Sequence, residues 1–102
     1  MAAPKKTLKF RSSRTREFDV EFASLPKAVQ ATASKAFRLW LEDPSHTSLT
    51  VHKLKGQHEG KWAVTVNWSY RAVYKVEEID GIRTYWWLWI GTHEAYNKLF
   101  RK

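Results

Sequence analysis

The chain has 102 residues, 43 % of them hydrophobic, and a formal net charge of +8 from eighteen Lys and Arg against ten Asp and Glu. That length suits one domain rather than two, and the composition is too apolar for a disordered chain. There is no cysteine, no apolar run approaching the roughly eighteen residues of a membrane span, and no apolar signal core after Met1-Ala-Ala-Pro-Lys-Lys6. These absences set aside a disulfide scaffold, a thiolate metal site, a membrane span and secretion by a signal peptide, and the expectation is a cytoplasmic basic domain.

The first sixteen residues hold Lys5, Lys6, Lys9, Arg11, Arg14 and Arg16 and no acid. Residues 1–13 therefore read as a basic amino-terminal arm. Within it, Leu8 and Phe10 alternate with polar residues over Thr7–Arg11, which predicts a short first strand. From Thr15 onward Phe18, Phe22 and Leu25 recur at spacings of four and three, one face of a helix with Thr15 as its cap. Pro26 suits the first turn of a second helix, whose core face reads Val29, Ala33, Ala36, Phe37 and Trp40 and which Asp43-Pro44 stops. The two helices are expected near residues 14–24 and 26–42.

After Pro44 the apolar period becomes two. A strand is predicted over Leu49–Lys55, ended by Gly56, and another over Lys61–Trp68 with Trp62, Val64, Val66 and Trp68 on one face. Tyr70–Val76 puts Tyr70, Ala72, Tyr74 and Val76 opposite Arg71, Val73 and Lys75. The acids Glu59, Glu77, Glu78 and Asp80 fall in predicted turns, and Asp80-Gly81 is a hairpin signal. Arg83–Ile90 forms the last strand, with Thr84, Trp86, Leu88 and Ile90 opposite Arg83, Tyr85, Trp87 and Trp89, apolar on both faces as a central strand is. Gly91-Thr92 leads into a short helix from about His93. Two consecutive helices followed by a strand meander predict an α+β domain over residues 1–102, with the helices on one face of a mostly antiparallel sheet of four or five strands.

Four histidines are present: His46, His52, His58 and His93. His52 ends a predicted strand beside Lys53 and Lys55, and His93 follows the last strand, positions where sites tend to be built. His46 and His58 read as surface-loop residues. Neither HExxH, a phosphate loop, GxGxxG nor a nucleophilic serine elbow occurs. Two histidines, several lysines and arginines and a tyrosine, with no metal or cofactor required, suit cleavage of RNA. There the 2′-hydroxyl attacks, a base takes its proton, an acid protonates the leaving oxygen and cations hold the extra charge. Lys53, Lys61, Lys75 and Arg83 form the cationic surface expected to meet RNA.

His52-Lys-Leu-Lys55-Gly56, Gly60-Lys-Trp62, Val64-Thr-Val66, Tyr70-Arg71-Ala-Val-Tyr74 and Gly91-Thr-His93, taken in order, resemble the RelE/ParE superfamily of toxin–antitoxin toxins. The likeness is to its HigB-like and YafQ-like branches, and it spans nearly the whole chain. It implies an mRNA endoribonuclease that acts on the ribosome and is neutralised by a cognate antitoxin. Carried over by position, His52 matches a catalytic histidine of both branches and Lys55 a HigB-type active-site lysine. Arg71 matches a phosphate-binding arginine and His93 a carboxy-terminal catalytic histidine. Tyr96, three residues on, is placed to stack on a base. The paired lysines of RelE itself fall at Ala63 and Thr65 here, and a second histidine and an aspartate of the YafQ-like site fall near Thr65 and Ser69. A ParE-like inhibitor of DNA gyrase and a non-catalytic antitoxin-binding domain are the competing readings. Trp87, Trp89, Leu99 and Phe100 are the candidate apolar contacts for an antitoxin.

Overall fold

Thr15 ends a strand and starts a helix with the same side chain. Its hydroxyl donates to the Trp87 carbonyl at 3.2 Å and accepts from the Phe18 N–H at 3.1 Å. The expected cap is thus in place, and it ties the helix start to the last strand. In the computed structural model, which describes residues 10–100, the chain runs β1 (Phe10–Arg14), α1 (Arg16–Ala23), α2 (Lys27–Glu42), β2 (His52–Lys53), β3 (Lys61–Asn67), β4 (Tyr70–Ile79), β5 (Ile82–Thr92) and α3 (His93–Phe100). Short 3-10 turns at Thr47–Leu49 and Gly56–His58 flank β2. Leu8 of the predicted first strand, with Lys5, Lys6 and Lys9 of the arm, lies outside the described residues.

The five strands lie in the order β1-β5-β4-β3-β2. The β1–β5 pair is parallel and the other three pairs are antiparallel. The α+β architecture is as expected, with α1 and α2 on one face. Pro26 precedes α2 with φ −58°, and Asp43 ends it before Pro44, since the residue before a proline is driven out of the helical region. Trp40 is fully buried at the centre of the helix-side core. Tyr85, Trp87 and Tyr74 meet it edge-on with ring centroids at 4.9, 5.0 and 5.5 Å, the arrangement that aligns ring edges with ring faces. Trp62, Val64, Val66, Ala72, Tyr74 and Val76 all join this core, so the alternation read in β3 and β4 holds there.

A β-bulge changes the pattern in β5. Val73 pairs with Trp89 while its neighbour Tyr74 pairs with Trp87, which leaves Leu88 as an extra residue. One inserted residue reverses every side chain beyond it. Tyr85, Trp87 and Ile90 consequently all reach the helix-side core, whereas Trp89 enters a second cluster with Leu54, Ala63, Val73, Tyr96 and Phe100 on the opposite face. The expectation that Trp87 and Trp89 share a face is corrected, and Trp87, at 5 % exposure, is core rather than a partner contact. Helix α3 covers this second cluster.

Three further expectations are corrected. The strand over Leu49–Lys55 contracts to His52–Lys53, because Thr50 adopts a left-handed conformation (φ 45°) and Gly56 opens a turn (φ 65°). Trp68 is in the β3–β4 turn, not on the core face. Glu77 and Glu78 belong to β4.

Candidate active site

The sheet face under α3 is built in rows. His52 pairs with Ala63, Ala63 with Val73 and Val73 with Trp89; the next row joins Thr65, Arg71 and Gly91. Cross-strand neighbours share a face. His52 and Arg71 therefore sit on the α3 side although the sheet edge carries one and an inner strand the other.

His52 is exposed but held at both ring nitrogens. Nδ1 is 3.2 Å from the Thr50 carbonyl and Nε2 is 3.3 Å from the Tyr96 hydroxyl. A carbonyl oxygen only accepts, so the proton of the neutral ring sits on Nδ1 and Nε2 carries the lone pair. The left-handed turn at Thr50 aims that carbonyl back at the ring. A strained backbone position thus sets the tautomer of a candidate base.

Tyr96 is 2 % exposed. Its ring lies among Phe100 at 5.6 Å, His93 at 6.3 Å and Trp89 at 6.4 Å between centroids. No open ring face is left for a base, and the stacking role anticipated for it is replaced by that of a buried support. Its phenol holds His52 on one side while its ring backs His93 on the other, so the two histidines meet through Tyr96.

His93 opens α3, and its backbone N–H donates to the Ser69 carbonyl at 2.7 Å. Nδ1 is buried without a hydrogen-bond partner among the described residues. Asn97 Nδ2 lies 3.4 Å from Nε2 and can only donate, so Nε2 accepts and the neutral ring carries its proton on Nδ1. Asn97 lies one helical turn beyond His93, a spacing that puts the two on one face.

Arg71 curls onto the β3–β4 turn. Nη1 donates to the carbonyls of Asn67 at 2.6 Å and Tyr70 at 2.9 Å and reaches that of Trp68 at 3.5 Å. Among the described residues no carboxylate pairs with it, so neutral carbonyls position the guanidinium while its charge stays available to an anion. The same turn thereby fixes both Arg71 and, through Ser69, His93.

The remaining cations divide between the two faces. Lys61 and Lys75 pair with each other across β3 and β4 on the α3 face. Lys61 Nζ lies 3.3 Å from His58 Nδ1, and Lys75 is bridged to Glu77 at 2.9 Å. Lys53 lies over the Trp62 ring at 5.7 Å, and Arg83 lines a cleft of about 590 Å³ with Trp62, Tyr74 and Tyr85, both on the helix side. Lys55 is an exposed residue at the start of the Gly56–His58 turn, with no described contact to His52, Arg71 or His93. Sequence reasoning missed Thr50, Asn67 and Asn97, which act on the site through hydrogen bonds that carry no periodic signature.

His58 is not the isolated loop residue expected. It is half-buried, its Nε2 donates to the Leu99 carbonyl at 2.9 Å, and its ring lies 4.8 Å from that of Phe100. It fastens the end of α3 to the sheet. Leu99 is 50 % exposed, while Phe100 packs beneath the helix.

No family model and no curated protein matches the chain. Solved structures do. YafQ from E. coli strain BL21(DE3) superposes with a TM-score of 0.68 at 14 % identity, covering 85 % of this chain and 97 % of its own. The YoeB/ParE toxin from Agrobacterium tumefaciens gives 0.67 at 15 % identity, covering 82 % and 99 %. The toxin–antitoxin complex RelBE2 from Mycobacterium tuberculosis gives 0.67 at 16 %, covering 85 % and 94 %. The chain has the RelE/ParE-type toxin fold. No helix among the described residues is long and apolar enough to cross a membrane.

Proposed function

We propose that this chain is the toxin of a toxin–antitoxin pair and that it cuts mRNA on the ribosome by attack of the RNA's own 2′-hydroxyl. The observation that carries the reading is the pair of contacts that hold the His52 ring, Nδ1 on the Thr50 carbonyl and Nε2 on the Tyr96 hydroxyl, on the sheet face that also carries Arg71, with His93 joined to it through Tyr96. In the reaction His52 Nε2 takes the 2′-hydroxyl proton, displacing the Tyr96 phenol that holds the ring at rest. The 2′-oxygen bonds to the adjacent phosphorus, and the bond from phosphorus to the 5′-oxygen breaks. His93 acts as the acid in its doubly protonated form: with Asn97 turned aside, Nε2 gives its proton to that leaving oxygen, and Arg71 binds the phosphoryl oxygens as their charge grows. The products are a 2′,3′-cyclic phosphate and a 5′-hydroxyl. No cofactor is required.

Lys55, Lys61 and Lys75 supply cationic surface around the scissile strand. Lys53 and Arg83, on the opposite face, are assigned to ribosomal RNA, as are Arg11 and Arg14 of β1 and Arg16 of α1. An antitoxin partner is supported by neighbours solved as toxin–antitoxin complexes, including DinJ–YafQ from E. coli and RelE–RelB from Pyrococcus horikoshii. Action in the cytoplasm follows from the ribosomal target.

Induced expression with mapping of mRNA 5′ ends tests this. The parent chain should arrest growth and produce discrete cuts in translated messages. His52→Ala, Arg71→Ala and His93→Ala should abolish both while remaining folded. Full toxicity of all three variants would transfer the reading to a ParE-like gyrase inhibitor, and a parent chain that neither arrests growth nor cuts mRNA would transfer it to an antitoxin-binding domain.

A further inference from the structure

Six tryptophans are present, and five of them are buried or half-buried. The sixth, Trp68, is 91 % exposed. An isolated exposed aliphatic side chain needs no explanation, but an indole left almost wholly in water forgoes the large burial gain that makes tryptophan useful to a fold.

The turn that carries it is firmly held. Asn67 Oδ1 accepts from the Ser69 N–H at 2.8 Å and the Tyr70 N–H at 3.0 Å. Arg71 takes up the carbonyls of Asn67, Trp68 and Tyr70, and the His93 N–H takes up that of Ser69. Every carbonyl from Asn67 to Tyr70 is therefore engaged, by groups that belong to the candidate active site. None of these bonds uses the Trp68 side chain. The fold asks nothing of residue 68 beyond its backbone, yet it bears the largest aromatic side chain.

We infer that Trp68 is a stacking platform for a nucleobase of single-stranded RNA beside the scissile phosphate. The inference rests on the ribonuclease reading and names how the site grips the strand. A nucleotide is an anion joined to a flat ring. Arg71 and Trp68 offer a cation and a flat ring on one turn, with Nη1 3.5 Å from Trp68's own carbonyl. A phosphate on Arg71 brings an adjacent base to the indole. The stretch from Asn67 to Lys75 contains no acid to repel the strand. Stacking tolerates any base, because each presents a π face, and aromatic platforms of this kind are worth about 5- to 100-fold in affinity per base. Tyr96 cannot serve, since its ring is buried.

The test uses fully 2′-O-methylated RNA oligonucleotides, which lack the attacking hydroxyl, with 2-aminopurine placed at each position in turn. Binding to the purified chain should quench the fluorescence at one position. Trp68→Ala should abolish that quench and weaken binding about 5- to 100-fold, while Trp68→Phe keeps it within about threefold. Unchanged binding by Trp68→Ala, equal loss in Trp68→Phe, or no quench at any position with the parent chain overturns the platform. So does a Trp68→Ala chain that loses antitoxin affinity but keeps its RNA quench, which would make the indole a protein contact. Cleavage of translated mRNA by the parent chain is measured separately. Its failure would remove the ribonuclease reading and leave the binding result to stand.

Discussion

The Nε2 atom of His52 lies 3.3 Å from the hydroxyl of Tyr96, across 44 positions of sequence. This contact joins the short edge strand to the last helix, and it makes a buried residue the support of an exposed one. Removing the phenol separates support from packing. Tyr96→Phe should stay within about 1 kcal/mol of the parent in stability and should not slow single-turnover cleavage, because the phenol occupies the Nε2 lone pair that the base must free, while the Thr50 carbonyl still orients the ring. Thermal melts and cleavage rates on the same preparation check both halves.

The end of α3 depends on a histidine outside the chemistry. His58→Ala removes a bond to the Leu99 carbonyl, a contact with Lys61 and a ring contact with Phe100. A loss of about 1–2 kcal/mol is expected. Hydrogen exchange should rise over Leu99 and Phe100 and stay unchanged in α2. His46→Ala, which removes contacts to Ser48 at the Thr47–Leu49 turn, should leave α3 protected.

Gly91 leaves no room for a side chain. A Cβ there would lie 2.7 Å from Cζ2 and 3.0 Å from Cη2 of Trp89. The indole cannot swing away freely, because Phe100 packs against it with ring centroids 5.3 Å apart. Gly91→Ala should cost about 1–3 kcal/mol by overpacking, and cleavage should fall with it as α3 shifts. Denaturant titration gives the cost directly.

Glu21 adds a pH dependence unrelated to catalysis. Its Oε1 accepts from the Ile90 N–H at 3.1 Å, beyond the point where β1 covers the edge of β5. Burial raises its pKa above the ordinary 4.5, and the bond to Ile90 only partly opposes that. The folded chain then holds this proton to higher pH than the unfolded chain. Stability should fall as pH rises from about 4.5 through the raised value, and level off above it. Glu21→Gln keeps an acceptor for Ile90 without the charge. It should flatten this part of the pH profile and melt no lower than the parent at neutral pH.

Much of the fold was legible because local and global patterns agree. Thr15 caps the helix where its spacing predicts a cap, Pro26 and Pro44 bracket α2, and the predicted alternation holds from Trp62 to Val66 in β3 and from Ala72 to Val76 in β4. The failures are equally local. The bulge at Leu88 carries no Gly or Pro, so nothing in Trp86-Trp87-Leu88-Trp89 tells which tryptophan changes face. The strand over Leu49–Lys55 is cut short by a left-handed threonine, a residue type that seldom adopts that conformation. For the site, residue types at chain positions marked His52, Arg71 and His93, and the sheet rows place them on one face. The tautomer of His52 and the burial of Tyr96 depend on contacts between distant segments, which periodicity does not encode.

The chemistry assigned to His52, His93 and Arg71 fixes the ends of the cut RNA. The direct measurement is end-group analysis of an mRNA cleaved on programmed ribosomes by the purified chain. It is run beside His52→Ala, whose rate should fall about 10²- to 10⁴-fold. Attack by the 2′-oxygen predicts a 2′,3′-cyclic phosphate or its 3′-phosphate and a 5′-hydroxyl on the downstream fragment. A 3′-hydroxyl with a 5′-phosphate, or full activity in His52→Ala, would contradict the account.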